Sequence, residues 1–359
     1  GLGDVYKRQI MKFSLFVHME RLCAGQSQIE LLDELEALVM QAEAGGMEAA
    51  WIGEHHGMEF TIAPNPFLQI AYLAPKTTKI RLGTSSVIAP FWHPIKLAGE
   101  TAMTDLITRG RLELGIARGA YSFEYERLQP GLTPMEAGLR MRELVPAVQK
   151  LFQGDYEHQG EYWQFPKTSA VPQPLQPGGP PIWVAARDPN SHEFAVRTGC
   201  NVQVTPLASG DEEVESLMQR FNAACAANPQ VKRPQIMLLQ HTYVAADEAD
   251  AAQGAEELSR FYCYFGAWFQ NRKPVTRGMM EALTPEEMAA MPQYAPETVR
   301  KTLVIGTSEE VVARLKAYEA LGYDQFSLWI DSGMSFARKQ ASLRRFIEEV
   351  KPHFQKASE

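Results

Sequence analysis

Short apolar runs alternate with amphipathic segments along nearly the whole chain. Phe13 to Val17 has the length and composition of a buried strand. Ile29 to Ala44 then places Leu31, Leu32, Leu35, Leu38 and Val39 on one stripe of a helix. Ala49 to Gly53 is the second strand, Pro66 to Leu73 a helix, and Ile80 to Ile88 a strand rich in β-branched residues. Ile95 to Ile107 is helical and stops at Arg109-Gly110, and Leu112 to Ile116 is extended again. Pro134 to Phe152 is a long helix, with Thr133 as its cap, Pro134 at its first position and Glu136 at its third.

The alternation continues with a strand at Ile182 to Ala186, a helix at Ser191 to Thr198, and an extended stretch at Asn201 to Thr205. Helix Glu212 to Ala226, strand Ile236 to Val244 and helix Asp247 to Phe265 follow. Helix Thr307 to Leu321 stops at Gly322, and strand Phe326 to Ile330 and helix Phe336 to Val350 complete the pattern. Strands near residues 13, 49, 80, 112, 182, 201, 236 and 326, nearly all separated by helices, predict an α/β protein with a single (β/α)8 TIM barrel. Insertions interrupt the rhythm. Tyr156 to Phe165 reads as a hairpin and Pro172 to Pro181 as a loop. Asn271 to Arg300 carries Pro274, Pro285, Pro292 and Pro296 among several methionines, and is expected to be an active-site lid. Residues 1–10 lack an apolar core and precede Met11-Lys12-Phe13. We read them as a non-native leader, and 11–355 as the barrel domain.

Composition narrows the function classes. Of 359 residues, 45% are hydrophobic and 22% charged, an ordinary balance for a soluble globular chain. The formal net charge of -8, with no long basic run, argues against nucleic acid or an anionic membrane as partner. No apolar stretch approaches the roughly 18 residues of a membrane span. Cys23, Cys200, Cys225 and Cys263 form no CxxC pair, which suggests neither a zinc site nor a disulfide framework. Reduced thiols in a cytoplasmic protein are expected. No GxGxxG follows a strand and no Walker A motif is present, which disfavours a Rossmann-type nucleotide site.

Chemistry in such a barrel belongs at the carboxyl ends of the strands. His18 and Glu20 follow the first strand; Glu54, His55 and His56 follow the second. The histidine pair is either catalytic or satisfied by loop hydrogen bonds. Gly83-Thr84-Ser85-Ser86 puts small residues inside the third strand, which marks either close approach of a ligand or tight packing. Arg118, after the fourth strand, is a candidate phosphate clamp or a surface ion pair. Asn190 and Ser191 open the helix after the fifth strand, where free N–H groups suit an anion or a plain N-cap. Metal chemistry is poorly supported, since no HExxH occurs and the first strand ends His18-Met19-Glu20 rather than His-x-His. Asp331 alone favours a metallohydrolase.

Several segments together resemble the bacterial luciferase-like family of flavin-dependent monooxygenases, in particular its luciferase α-subunit-like subgroup. They are Met11-Lys12-Phe13, Trp51 to His56, Asn65-Pro66, Arg81 to Thr84, His93-Pro94, Gly110 to Gly119, and Val304 to Thr307, in the family's order. The resemblance implies a barrel that binds reduced FMN, delivered by a separate flavin reductase. Molecular oxygen then forms a C4a-hydroperoxyflavin that oxygenates a small organic substrate. It implies His55 as the catalytic histidine. Ser85 and Ser86 would be joined by a cis peptide beside the flavin ring. Arg118 and Arg140 would bind the phosphate, with Asp188 and Ser191 at the same end and Ala117, Tyr121 and Ala186 among the flavin contacts. Glu54 and His56 are expected to support His55. Ala117 stands where luciferase has a reactive cysteine, so bright emission is not expected. The Met-rich lid and Phe91, Trp92, Tyr262, Tyr264, Phe265 and Trp268 point either to a largely apolar substrate, an aldehyde-like one among the options, or to core and subunit-interface positions. A homodimer is the family's usual assembly. Alternatives are an F420-dependent oxidoreductase of the same fold and a non-catalytic flavin-binding protein.

Overall fold

The computed structural model describes residues 10–354. The expected leader therefore lies outside the described residues except for Ile10. Eight parallel strands close on themselves: β1 (Lys12–Val17), β2 (Ala49–Ile52), β3 (Arg81–Thr84), β4 (Leu112–Ala117), β5 (Ile182–Ala185), β6 (Asn201–Val204), β7 (Ile236–Val244) and β8 (Gln325–Trp329). The seam between last and first strands pairs Lys12 with Gln325 and Phe16 with Trp329. Most of these strands are largely apolar because both faces are covered, by side chains inside the barrel and by helices outside.

The helices between strands bury one stripe each. In α1 (Gln28–Ala44), capped by Ser27, the buried residues are Leu31, Leu35, Leu38, Val39 and Ala42. Inside the barrel, Trp51 and Trp183 meet edge to face at 5.5 Å. Gly83 leaves room for the Trp51 ring, since a Cβ at Gly83 would collide with it. Glu113 closes the amino-terminal end by accepting a hydrogen bond from Trp183 Nε1 at 2.7 Å and pairing with Arg81.

The expected strand at Ile80 to Ile88 is broken in two. β3 stops at Thr84, and Val87–Ile88 resumes along β4, opposite Ile116 and Ala117. Between them lie Ser85 and Ser86, joined by a cis peptide bond. The Thr84 hydroxyl bridges the gap. It donates to Gly115 O and accepts from Gly115 N, both at 2.8 Å, so the β4 backbone keeps its partners where the ladder is interrupted.

Further elements were not read from the pattern. Helix α4 (Ser122–Leu128) lies in the connection after β4. A strand at Val304–Gly306 pairs with the outer end of β7. Helix α8 (Glu248–Gln270) runs five residues beyond the expected Phe265. The last helix, Phe336–Arg345, passes into a π turn at Phe346–Val350. The expected hairpin is present as Tyr156–Gln159 against Gln164–Thr168. The segment 271–300 is built rather than structureless, with a small hairpin (Val275–Thr276 and Met279–Met280) and helix Pro285–Ala289. Helix Pro296–Thr302 starts within it. The segment is fastened by Glu59 N donating to Gly278 O, Leu283 N to Cys263 O, and Ser259 Oγ to Tyr294 O.

Candidate active site

A cavity of about 370 Å³ opens at the carboxyl ends of the strands. His55, on the loop after β2, lines it. Its backbone N–H donates to Ala63 O at 2.8 Å, which fixes the loop. Its ring Nδ1 lies 3.1 Å from Glu124 Oε2, and Glu124 also accepts the His56 N–H at 2.7 Å. The carboxylate partner engages Nδ1, which leaves Nε2 as the ring nitrogen free to meet a ligand. His55 also packs against two further wall residues, with ring centroids 5.0 Å from His18 and 5.1 Å from Tyr121. Burial holds the His18 pKa well below the usual imidazole range, with His55 and His241 adding to the effect.

The expected supporting roles change. Glu54 and His56 hold each other at 2.6 Å rather than the His55 ring. Burial works against a charge on His56, but the Glu54 carboxylate outweighs it and raises the pKa. The second Glu54 oxygen accepts from Ile88 N and Trp92 Nε1, each at 2.8 Å. Glu54 therefore ties the loop after β2 to the broken third strand. Glu124 orients His55, and no sequence signal separates it from the other acids of α4.

Ser85 and Ser86 line the cavity, and both hydroxyls reach Gln203 Oε1, at 3.3 and 3.1 Å. Gln203 is a buried polar residue in the middle of β6, and that mismatch was its available signal. Its amide Nε2 is buried without a hydrogen-bond partner among the described residues. Ala117, Arg118, Tyr121, Ala186, Asp188 and Ser191 also line the cavity. Arg118 is exposed at the rim, where Nη1 donates to Pro134 O at 3.0 Å. Asp188 caps α6 (Pro189–Arg197), accepting from Ser191 N at 3.0 Å and Ser191 Oγ at 2.6 Å. Burial raises the Asp188 carboxyl, but the Ser191 hydrogen bonds more than offset it and hold the pKa below its usual value.

Arg140 is not brought to the cavity. On α5 (Pro134–Gln153) it pairs with Glu136 at 2.7 Å, bonds Gln129, and lies over the Tyr162 ring. Arg142, two residues on, lines the cavity in its place, and its Nε is buried without a partner among the described residues. Two residues rotate about 200° around a helix, so the two side chains leave opposite faces. Arg187 joins the wall at the same end. Of the six aromatics expected at the substrate, only Phe265 lines the cavity; Trp92, Tyr262 and Trp268 are buried among other side chains. Asp331, the residue favouring a metal, accepts from His18 N at 2.6 Å and pairs with Lys339 at 2.8 Å. No described helix is long and apolar enough to cross a membrane.

Residues 11–325 match the family described as luciferase-like monooxygenase. The chain belongs to that family. A relative from Acinetobacter baylyi, the oxygenase component of a flavin-dependent trigonelline monooxygenase, is 63% identical and covers 96% of both chains. The monooxygenase RslO1 from Streptomyces bottropensis superposes with a TM-score of 0.81 at 26% identity, covering 96% of this chain and all of that one. The oxygenating constituent of 3,6-diketocamphane monooxygenase from Pseudomonas putida, solved with FMN, has the same fold at 20% identity and TM-score 0.75, over 96% and 98% of the chains. This luciferase-like chain is thus a flavin-dependent monooxygenase, of the oxygenase-component type.

The cavity of this luciferase-like barrel suits a flavin nucleotide. Arg118, Arg142 and Arg187 gather at one end beside the α6 N-terminus, which suits a phosphate. The unpartnered Gln203 amide sits where a ring acceptor would satisfy it. Ser191 offers less than expected, because its hydroxyl already serves Asp188.

Proposed function

We propose that this chain takes reduced FMN from a separate flavin reductase and uses O2 to oxygenate an N-alkylated aromatic acid of the trigonelline type. The observation that carries this reading is the 63% identity over 96% of both chains to the oxygenase component of a trigonelline monooxygenase. The substrate departs from the apolar one expected from the aromatic residues, since trigonelline is a pyridinium carboxylate.

Reduced flavin, when bound, supplies the electrons that let one atom of O2 enter the substrate while the other leaves as water. The chain's own residues do the rest. Arg118 and Arg142 hold the phosphate. Ser85, Ser86 and Gln203 border the ring. His55, with Nδ1 fixed by Glu124, presents Nε2 to accept or return a proton. Ala117 leaves no thiol beside the flavin.

The test combines the protein with a general flavin reductase, NADH, FMN, trigonelline and isotopically labelled O2. One labelled oxygen atom in the product is expected. NADH oxidation without labelled product contradicts the substrate assignment. Turnover with F420 but not with FMN contradicts the cofactor assignment.

A further inference from the structure

Four side chains from four separate segments converge behind the inner wall of the cavity. Glu20 follows β1, Tyr121 follows β4, Tyr262 belongs to α8, and Tyr294 comes from the segment after it. Glu20 is 3% exposed. Its Oε1 accepts from Trp329 Nε1 at 3.3 Å and lies 3.7 Å from His18 Nδ1, and both of those residues line the cavity. Its Oε2 is buried without a hydrogen-bond partner among the described residues, and so is the Tyr262 hydroxyl. The two are within reach of each other's charge, as are Glu20 and Tyr121.

The charges around Glu20 do not balance. Lys339 is the ammonium of this region, and it pairs with Asp331 at 2.8 Å and reaches Glu34 at 3.8 Å. His18 adds no cation, because burial keeps it neutral. Burial, with Asp331 beside it, pushes the Glu20 carboxyl well above its usual range, and Lys339 only partly opposes this. Burial thus disfavours the charged form of Glu20, and a cation set beside it would favour that form. The surroundings are aromatic. Tyr262 and Tyr294 stack at 4.7 Å, and His241 lies flat on Trp329 at 3.9 Å. Rings around one carboxylate form a setting suited to a flat organic cation.

We propose that Glu20, beside Trp329, Tyr121 and Tyr262, with Tyr294 stacked on Tyr262, is the specificity residue for a cationic ring in the substrate. An N-alkylpyridinium reaches it past Trp329 and Tyr121 and supplies the positive charge that the site lacks. This rests on the substrate class assigned above and names the group that recognises it.

Binding is read by tryptophan fluorescence or calorimetry with FMN present, using two probes. Trigonelline carries the cation, and 3-methylbenzoate is nearly the same shape with a neutral ring. The wild-type protein is expected to prefer trigonelline by about 10- to 100-fold, the range for a buried interaction with a charged partner. Glu20→Gln should bring the two to parity while leaving FMN and 3-methylbenzoate binding unchanged, and Glu20→Asp should restore part of the preference. A Glu20→Gln protein that keeps the full preference overturns the proposal. Should that variant fail to fold, Tyr294→Leu must narrow the same preference, and an unchanged preference there overturns the proposal as well. If the wild type neither binds nor oxygenates trigonelline, the substrate reading fails and this inference with it. If it oxygenates trigonelline and Glu20→Gln does so with the same KM, only this inference fails.

Discussion

The His55 ring nitrogen and a carboxylate oxygen of Glu124 lie 3.1 Å apart, across 69 residues of chain and two different strand-end loops. The same carboxylate accepts the neighbouring backbone N–H of His56, so one buried group fixes both the loop and the ring. Glu124 is thus a positioning residue for the proposed proton carrier.

Replacing it tests that role. Glu124→Gln keeps the size and an acceptor oxygen but removes the charge. We expect oxygenated product per reduced flavin to fall by about 10- to 100-fold, as for other residues that orient a reacting histidine. The loss should appear in kcat, with substrate KM and FMN affinity little changed. A loss confined to KM contradicts the assignment.

The arginines of α5 give a paired test. Arg142→Ala should weaken FMN binding by about tenfold or more, because a charged partner of the phosphate is lost. Arg140→Ala should leave it nearly unchanged, since Arg140 is engaged with Glu136, Gln129 and Tyr162. Fluorescence quenching of FMN measures both. Equal weakening in the two variants contradicts the placement of the phosphate.

Packing inside the barrel predicts a contrast between glycines. A methyl group at Gly83 would strike the Trp51 ring, so Gly83→Ala should cost about 1–3 kcal/mol in urea denaturation. Gly99 sits in helix Pro94–Ile107, and a Cβ there meets only Val171 O at 3.5 Å. Gly99→Ala should therefore be neutral or stabilising by up to about 1 kcal/mol.

Acid stability carries a further prediction. Burial lowers the His241 pKa to about 3, partly offset by the Asp331 backbone. In the unfolded chain the ring takes a proton near its ordinary pKa of about 6.5. The unfolded state therefore binds more protons between these values, and this group's contribution to stability is full above pH 6.5 and is lost as pH falls toward 3. The slope is at most about 1.4 kcal/mol per pH unit for one proton. His241→Phe should lose less stability than the wild type between pH 6.5 and 4. Parallel pH profiles from denaturant titrations would rule this out.

The barrel was legible because most of its strands carry short, largely apolar runs in alternation with helices, and that rhythm survives the insertions. The cavity residues next to those strands were legible for the same reason, since a polar side chain directly after an apolar run has one place to go. What was lost depended on rotation and distance. Arg140 and Arg142 differ only in which side of a helix they leave, and no local pattern near Pro134 fixes that angle within one residue. Glu124 works across a tertiary contact from a helix too short to show a periodicity. The broken third strand was missed because the small residues Gly83 to Ser86 sit between two β-forming runs and fit within one strand as well as at a break, while the bridge across the break is made by one Thr84 hydroxyl and the backbone of Gly115.

The segment 271–300 is fastened to its neighbours partly through main-chain atoms, beside the buried side chains of Met280, Leu283 and Tyr294. Gly278 O, Leu283 N and Tyr294 O make its fastenings. Such attachments ask almost nothing of the side chains they carry. Exposed side chains of this segment can therefore vary while its position is kept, and the arginine end of the cavity lies on other elements. Choice of substrate can then diverge among relatives without rebuilding the part of the cavity suited to the phosphate.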